Sequence, residues 1–266
     1  MKSNRSLWIL AFLITISSAI YQRSTGPTYP VKGNNKIEDI QYKYKFERTH
    51  GGTSDHEVSV TVEGNLTGKL LYKRYKIDEP WTEIQMSGEN DVLKGSLPNQ
   101  PPAGKLMYKV ILSNATENIT LPENEPVIIR FKGAVPLFIL IPHVIFMFAA
   151  MFVSTRAGIE AILNLKQLRL LTFWTAGLLF LGGMILGPVV QEYAFGDFWT
   201  GFPFGHDLTD NKTLIAMIGW IVAVIACIKE NKNTRYWVLS ASIILMLIYL
   251  IPHSMFGSEL DYSAIQ

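Results

Sequence analysis

The chain has 266 residues, 48% of them hydrophobic and 17% charged, with 24 Lys and Arg against 22 Asp and Glu. That length allows two compact units, and the apolar excess with positive mean hydropathy is high for a soluble protein of this size. A formal net charge of +2 on scattered basic residues excludes a nucleic-acid partner, and the single Cys227 excludes an internal disulfide and a cysteine-built zinc cage.

Lys2 and Arg5 precede an apolar run from Leu7 to Ile16, with the small residues Ser17 and Ala19 after it. Charge, then apolar, then small is the order of an export segment, so residues 1–20 are expected to be a signal peptide or a retained signal anchor. Residues 21–36 read as a linker, rich in Gly, Pro and Asn between Thr25 and Asn35. Short alternating runs follow at Ile40 to Phe46, Glu57 to Val62, Leu70 to Tyr75, Trp81 to Met86, Asp91 to Leu97, Leu106 to Leu112, Ile119 to Leu121 and Val127 to Phe131. Turn chemistry at Gly51-Gly52, Gly64-Asn65, Ser87-Gly88 and Pro101-Pro102 separates them. Strands at this spacing predict an all-β sandwich over residues 37–132. The stretch from Leu70-Leu71-Tyr72 through Trp81-Thr82 to Lys105-Leu106-Met107-Tyr108 resembles immunoglobulin-like or fibronectin-like bacterial surface modules. No catalytic constellation stands out in this part, and Lys73-Arg74-Tyr75-Lys76 reads as a solvated strand.

After Lys132 the text changes character. Residues 133–155, 170–191, 213–228 and 236–258 contain no Asp, Glu, Lys or Arg, and three of the four exceed the roughly twenty residues that cross a bilayer. The expectation is a four-helix transmembrane domain over residues 133–258, with Lys212 and Lys229 snorkelling at the ends of the short third span. Arg156, Lys166 and Arg169 fall between the first two spans, and Lys229, Lys232 and Arg235 between the last two, which assigns both loops to the cytoplasm. The loop between spans two and three carries Glu192, Asp197, Asp207 and Asp210 before any basic residue. It is expected outside, together with the β-domain and a C-terminal tail over residues 259–266. This is the plan of a multi-pass plasma (inner) membrane protein with the lipid bilayer as its first partner, and an envelope protein engaged through the β-domain as a further candidate.

Two histidines sit in one repeated phrase, Ile141-Pro142-His143-Val144-Ile145-Phe146 and Ile251-Pro252-His253-Ser254-Met255-Phe256. At the helical rise per residue, His143 lies roughly 15 Å below the outer end of its span and His253 roughly 8 Å below that of its own. A histidine in an apolar span is costly to leave unpaired, so each either bonds a neighbouring helix and the backbone opened by its proline, or ligates haem iron, copper or zinc. Tyr249 and Met246, four and seven residues before His253, are expected to share its helix face.

The outer loop from Glu192 to Asn211 interleaves Tyr193, Phe195, Phe198, Trp199, Phe202 and Phe204 with Gly196, Gly201 and Gly205. An interfacial aromatic belt is one reading, and a platform for a planar hydrophobic ligand is the other. Within Gly187-Pro188-Val189-Val190-Gln191-Glu192-Tyr193-Ala194-Phe195-Gly196-Asp197-Phe198-Trp199, the residues Gly187, Val189, Ala194, Gly196 and Trp199 resemble the tryptophan-rich external loop of haem-handling proteins of cytochrome c maturation. The resemblance implies a haem b cofactor, His143 and His253 as axial ligands, and Trp199 with Phe195 as part of the platform. The match covers about fifteen residues of 266, and Phe195, Gly201 and Phe202 stand where the family has Trp, Trp and Asp.

His206, Asp207 and Asp210, with Glu192, form a second candidate, a set of donors for a divalent metal, against the alternative that Thr209-Asp210-Asn211 caps the third span. With no nucleophile and base pair, phosphate loop or dinucleotide fingerprint, the sequence favours no enzyme. Three readings remain: a haem-binding membrane protein, a non-enzymatic envelope scaffold, and a metal chaperone or metal-dependent enzyme using His206, Asp207 and one of the membrane histidines.

Overall fold

The computed structural model describes residues 4–252, 255, 257 and 259–265. The chain divides into two compact units, residues 1–27 with 135–257 and residues 28–134 with 258–266.

The first unit opens with α1 (Asn4–Thr25). Among its described residues the second unit contains eleven strands, β1 (Val31–Ile37), β2 (Ile40–Phe46), β3 (Thr49–Gly51), β4 (His56–Val62), β5 (Thr67–Arg74), β6 (Thr82–Gln85), β7 (Ser87–Glu89), β8 (Val92–Leu97), β9 (Lys105–Ser113), β10 (Asn118–Leu121) and β11 (Val127–Lys132), and one turn of 3-10 helix (Tyr262–Ile265) in the tail. One sheet runs β1-β2-β4-β8-β7 and the other β3-β11-β9-β5-β6, with β10 paired to β9. All pairings are antiparallel except that of β3 with β11. Alternation in sequence becomes alternation in burial, because successive side chains of a strand point to opposite faces. In β4 the residues His56, Val58, Val60 and Val62 are buried, and in β9 Leu106, Tyr108, Val110 and Leu112. These join Phe46, Leu70, Leu97, Ile129 and Phe131 in one core fed by both sheets.

Three strands lie where no strand was expected. β1 falls in the predicted linker, yet it pairs with β2 over its whole length, from Val31 opposite Phe46 to Ile37 opposite Ile40. β3 and β7 are three residues each, and β7 is exposed throughout, on ground that reads as turn. All three lack the apolar alternation of a half-buried strand, and ladder hydrogen bonds rather than side chains hold them.

Tyr108 is fully buried, and its hydroxyl donates to Glu47 O at 2.8 Å. Burial pushes this phenol far above its ordinary pKa, so it remains a donor. Tyr108→Phe leaves that carbonyl without its partner, and we expect the β-unit to lose about 1 to 2 kcal/mol in a denaturant melt; an unchanged midpoint would show the bond to be replaced by water.

The basic run is not simply solvated. Arg74 clasps Glu79, whose carboxylate also accepts from the Arg74 backbone N–H at 2.6 Å, and Lys73 lies over the Trp81 ring. Lys76 and Lys105 each reach Glu259 of the C-terminal tail at 2.6 Å. The tail continues with the Leu260 N–H donating to Ala103 O at 3.2 Å and the Tyr262 hydroxyl 3.0 Å from Gln100 Oε1. What reads as a free tail is therefore docked on the β-unit. Burial alone would raise the Glu259 carboxyl, but hydrogen bonds from Lys105 and Lys76 outweigh it and hold it below its ordinary pKa. A depressed folded-state pKa contributes stability above the unfolded value that is lost as pH falls through the folded one. Acidification below the usual carboxylate range should then release the tail, read as loss of hydrogen-exchange protection at the Leu260 amide after correction for intrinsic rate. Protection that persists through that range would contradict the role of Glu259.

The rest of the first unit is α2 (Leu137–Leu163), then α3 (Leu168–Leu179) continuing through a π-helical segment (Phe180–Leu186) into α4 (Gly187–Phe195), then α5 (Leu208–Ile228) and α6 (Thr234–Leu250). Among the described residues four helices have the length and apolarity to cross a membrane: α1, α2, the continuous 168–195 helix and α5. These are not the predicted four, because the N-terminal helix is among them and α6, at 17 residues, is the short one. Outward side chains of the helical unit include Phe138, Ile145, Ile162, Trp174, Ile218 and, on α6, Leu247, all exposed, a surface suited to lipid and not to water.

α1 packs against α2 and α6. Its inward face is Leu7, Ala11, Thr15 and Ser18, at helical spacing; the Trp8 ring meets Phe152 at a tilt, centroids 5.0 Å apart, and Ser18 Oγ lies 3.5 Å from Met246 Sδ. α2 runs two turns past the predicted end of its span at residue 155, because Arg156 and Glu160 pair with each other at 2.5 Å, both about 1% exposed. Asn4 Oδ1 accepts from Arg156 Nη2 at 3.0 Å, and Glu160 Oε1 accepts the Gln167 N–H at 2.7 Å. Arg156 is thus not the solvated loop charge that the sequence implied.

Candidate functional site at one end of the helical unit

The aromatic loop is built on the start of α5. Asp207 is the N-cap: its Oδ1 accepts from the Thr209 N–H at 2.7 Å. Asp210 is buried and points back into the loop, where Oδ2 accepts the N–H groups of Thr200 (2.7 Å) and Gly201 (3.0 Å) and lies 3.3 Å from Thr200 Oγ1. Asn211 Oδ1 accepts the Phe202 N–H at 2.6 Å. A Cβ on Gly201 would lie 2.6 Å from Asp210 Cβ, so this close approach requires glycine.

Two side chains of one Asp-Asn pair therefore hold three consecutive backbone amides, and the loop is a fixed structure. It carries Phe198, Phe202 and Phe204 outward, with Phe204 83% exposed. Trp199 is turned in: it is half-buried and its Nε1–H donates to Phe202 O at 3.0 Å. Phe195 is also half-buried, at the end of α4. Of the residues assigned to the platform, the most open aromatics are thus not Trp199 and Phe195 but the phenylalanines that follow.

His143 sits on α2 one residue after Pro142, which the helix accommodates internally. Its Nδ1 is 2.9 Å from Gly182 O in the π-helical segment. A carbonyl accepts only, so Nδ1 carries the proton and Nε2 keeps its lone pair. The π-helical turn precedes Pro188, which has no N–H to continue an α-helical ladder, and Gly182 O also accepts the Gly187 N–H. A Cβ on Gly182 would lie 3.0 Å from Phe146 Cβ, so glycine lets α2 come close enough for the imidazole bond. Gly187 faces His143, and four residues on Gln191 Nε2 donates to Thr200 Oγ1 at 2.7 Å. His143 is thereby one helical turn away from the aromatic loop.

The second Ile-Pro-His phrase behaves differently. α6 ends at Leu250 and Ile251 is extended, as expected for a residue before proline. His253 lies outside the described residues. The helix face that Tyr249 and Met246 were expected to share with it therefore falls outside the described residues as well; on α6 itself, Tyr249 meets Phe148 edge-on and Met246 meets Ser18. The phrase is nevertheless tied to the loop, because buried Lys212, next to Asn211, donates from Nζ to Ile251 O at 2.9 Å. Lys212 does not snorkel; it fastens the end of α6 to the start of α5.

The metal candidates do not converge. Asp207 caps the helix, Asp210 holds the loop and His206 is exposed. Among the described residues no three His, Cys, Asp or Glu side chains gather as a metal cluster. The residues that sequence reasoning missed are Asp210 in its loop-holding role, Asn211 and Lys212; a second acid three residues after the capping Asp207 was the available signal. No protein-family model and no curated protein sequence matches this chain.

Proposed function

We propose that this chain is a plasma-membrane protein that binds haem b at the loop end of its helical unit, with His143 and His253 as axial ligands, for electron transfer or haem handling. The observation that carries the reading is the imidazole of His143, held through Nδ1 by the Gly182 carbonyl with Nε2 left as a ligand nitrogen. Metal-bound histidines are characteristically fixed by a hydrogen bond from the other ring nitrogen to an outer carbonyl or carboxylate. The exposed Phe198, Phe202 and Phe204 supply apolar and stacking surface on the loop. When bound, haem supplies one-electron chemistry or is itself the cargo. The residues of the chain orient the ligand nitrogen, through Gly182, and hold the receiving loop rigid, through Asp210 and Asn211.

The same reading places the loop and the β-domain outside. Docking of residues 259–265 within the β-unit supports it, because the helices between the β-strands and the tail must then cross an even number of times. α2, the 168–195 helix, α5 and α6 make four crossings. α6 spans only about 25 Å, which local thinning of the bilayer accommodates. α1 makes a fifth crossing and stays with the bundle as an anchor, since Asn4 is a partner of Arg156. The strand order also supports an immunoglobulin-like β-domain: β2-β4-β8-β7 faces β3-β11-β9-β5-β6, the arrangement of sheets A-B-E-D and A′-G-F-C-C′.

Haem titrated into the detergent-purified protein should bind saturably, and Phe202→Ala with Phe204→Ala should weaken it about tenfold, as expected for about 1.4 kcal/mol of lost ring contact. Equal affinity in the double variant would remove the loop from the site.

A further inference from the structure

Two imidazoles in the β-unit face each other through nitrogens of the same kind. His50 is the middle residue of β3 and His56 the first of β4, on either side of the segment that carries the chain from one sheet to the other. His50 Nδ1 and His56 Nδ1 are 3.2 Å apart, and the ring centroids 5.0 Å apart. His50 Nε2 lies 2.8 Å from Ser54 O, so Nε2 carries the His50 proton and its Nδ1 presents a lone pair. The Phe131 ring meets His50 edge-on. His56 is buried at 9% exposure, and its proton on Nδ1 makes the bond to His50.

We propose that His50 and His56 form a bis-imidazole site for a divalent transition metal of the zinc or copper class, with solvent completing the coordination. Imidazole nitrogens bind Zn²⁺ at about 2.0 to 2.1 Å, and two such bonds across a 3.2 Å separation enclose an angle of roughly 100°, near the tetrahedral value. The bond from His50 Nε2–H to the Ser54 carbonyl is the outer contact that fixes a metal-binding tautomer. His56 changes tautomer on binding: its proton moves from Nδ1 to Nε2 through solvent, and no net proton is released. Burial, then the neighbouring His50, lower the His56 pKa, which keeps this ring neutral and able to coordinate near neutral pH. The Glu47 and Glu57 carboxylates act on it in the opposite direction. The nearby Asp55 accepts the Asn99 N–H through Oδ1 at 2.8 Å.

The test is titration of the detergent-purified full chain with Zn²⁺ by calorimetry, beside His50→Ala, His56→Ala and His206→Ala. Saturable binding in the micromolar range is expected for the wild type and for His206→Ala, with at least a tenfold loss in each of the other two. Should either variant fail to fold, protection of His50 and His56 from diethyl pyrocarbonate by Zn²⁺, read by mass spectrometry on the wild type, decides the matter. No saturable binding, unchanged affinity in His50→Ala and His56→Ala, or no protection of these two rings overturns the site.

Discussion

Glu160→Ala should destabilise the helical unit by about 3 to 5 kcal/mol, because it leaves the Arg156 guanidinium buried without its counter-ion. The remaining partners are the Asn4 side-chain carbonyl and the face of Trp8, which do not neutralise a full charge. The Gln167 N–H also loses its acceptor at the turn into α3. Replacing both members by apolar residues of similar size, Arg156→Met with Glu160→Leu, removes the charge itself and should recover most of the loss. Thermal unfolding in detergent reads all three variants. A double variant as unstable as Glu160→Ala would show that the pair acts through its hydrogen bonds to Asn4 and Gln167 and not through charge. The same measurement bears on α1, since a chain cleaved after Ala19 would lack Asn4 and behave like a partial Arg156 defect.

Asp210→Ala is the second large effect. It strips the acceptor from two backbone amides and faces Thr200 Oγ1 with a void, in a buried place. A charge-assisted hydrogen bond is worth about 1.5 to 3 kcal/mol, so loss of the pair should cost at least about 3 kcal/mol of loop order. The expected result is rapid proteolysis between Gly196 and Leu208, with haem affinity reduced about a hundredfold. Asp210→Asn keeps one acceptor oxygen and should fall between. Wild-type affinity in Asp210→Ala would mean that the loop need not be ordered to bind.

How far the sequence carried can be judged element by element. β2, β4 and β9 were visible because their inward positions are mostly Val, Leu, Tyr and Phe in alternation, and β5 because it carries the apolar run Leu70-Leu71-Tyr72. β1 was not, because Val-Lys-Gly-Asn-Asn-Lys-Ile buries only Ile37 fully and its identity as a strand comes from a partner forty-six residues into the chain. The apolar runs located the helices but not their ends: Arg156 and Glu160 look like a loop when read as free charges and like a helix when their four-residue spacing is taken as an ion pair. Pro252 ended α6 by restricting Ile251, whereas Pro142 lies inside α2, so one repeated phrase took two backbone forms. The candidate site was half legible. His143 and the unusual loop stood out from composition alone, while Asp210 was signalled only by its place three residues after the capping Asp207, and the roles of Asn211 and Lys212 depend on a chain reversal that their local sequence does not show.

The most direct test of haem binding through His143 is a reduced-minus-oxidised visible spectrum of the detergent-purified protein, expressed with ample haem, beside His143→Ala and His253→Ala. A haem band in the wild type that is lost in both variants, with their thermal unfolding unchanged, is the predicted result; a colourless wild type, or a band that survives His143→Ala intact, would contradict it and leave an envelope scaffold whose bundle serves only as an anchor.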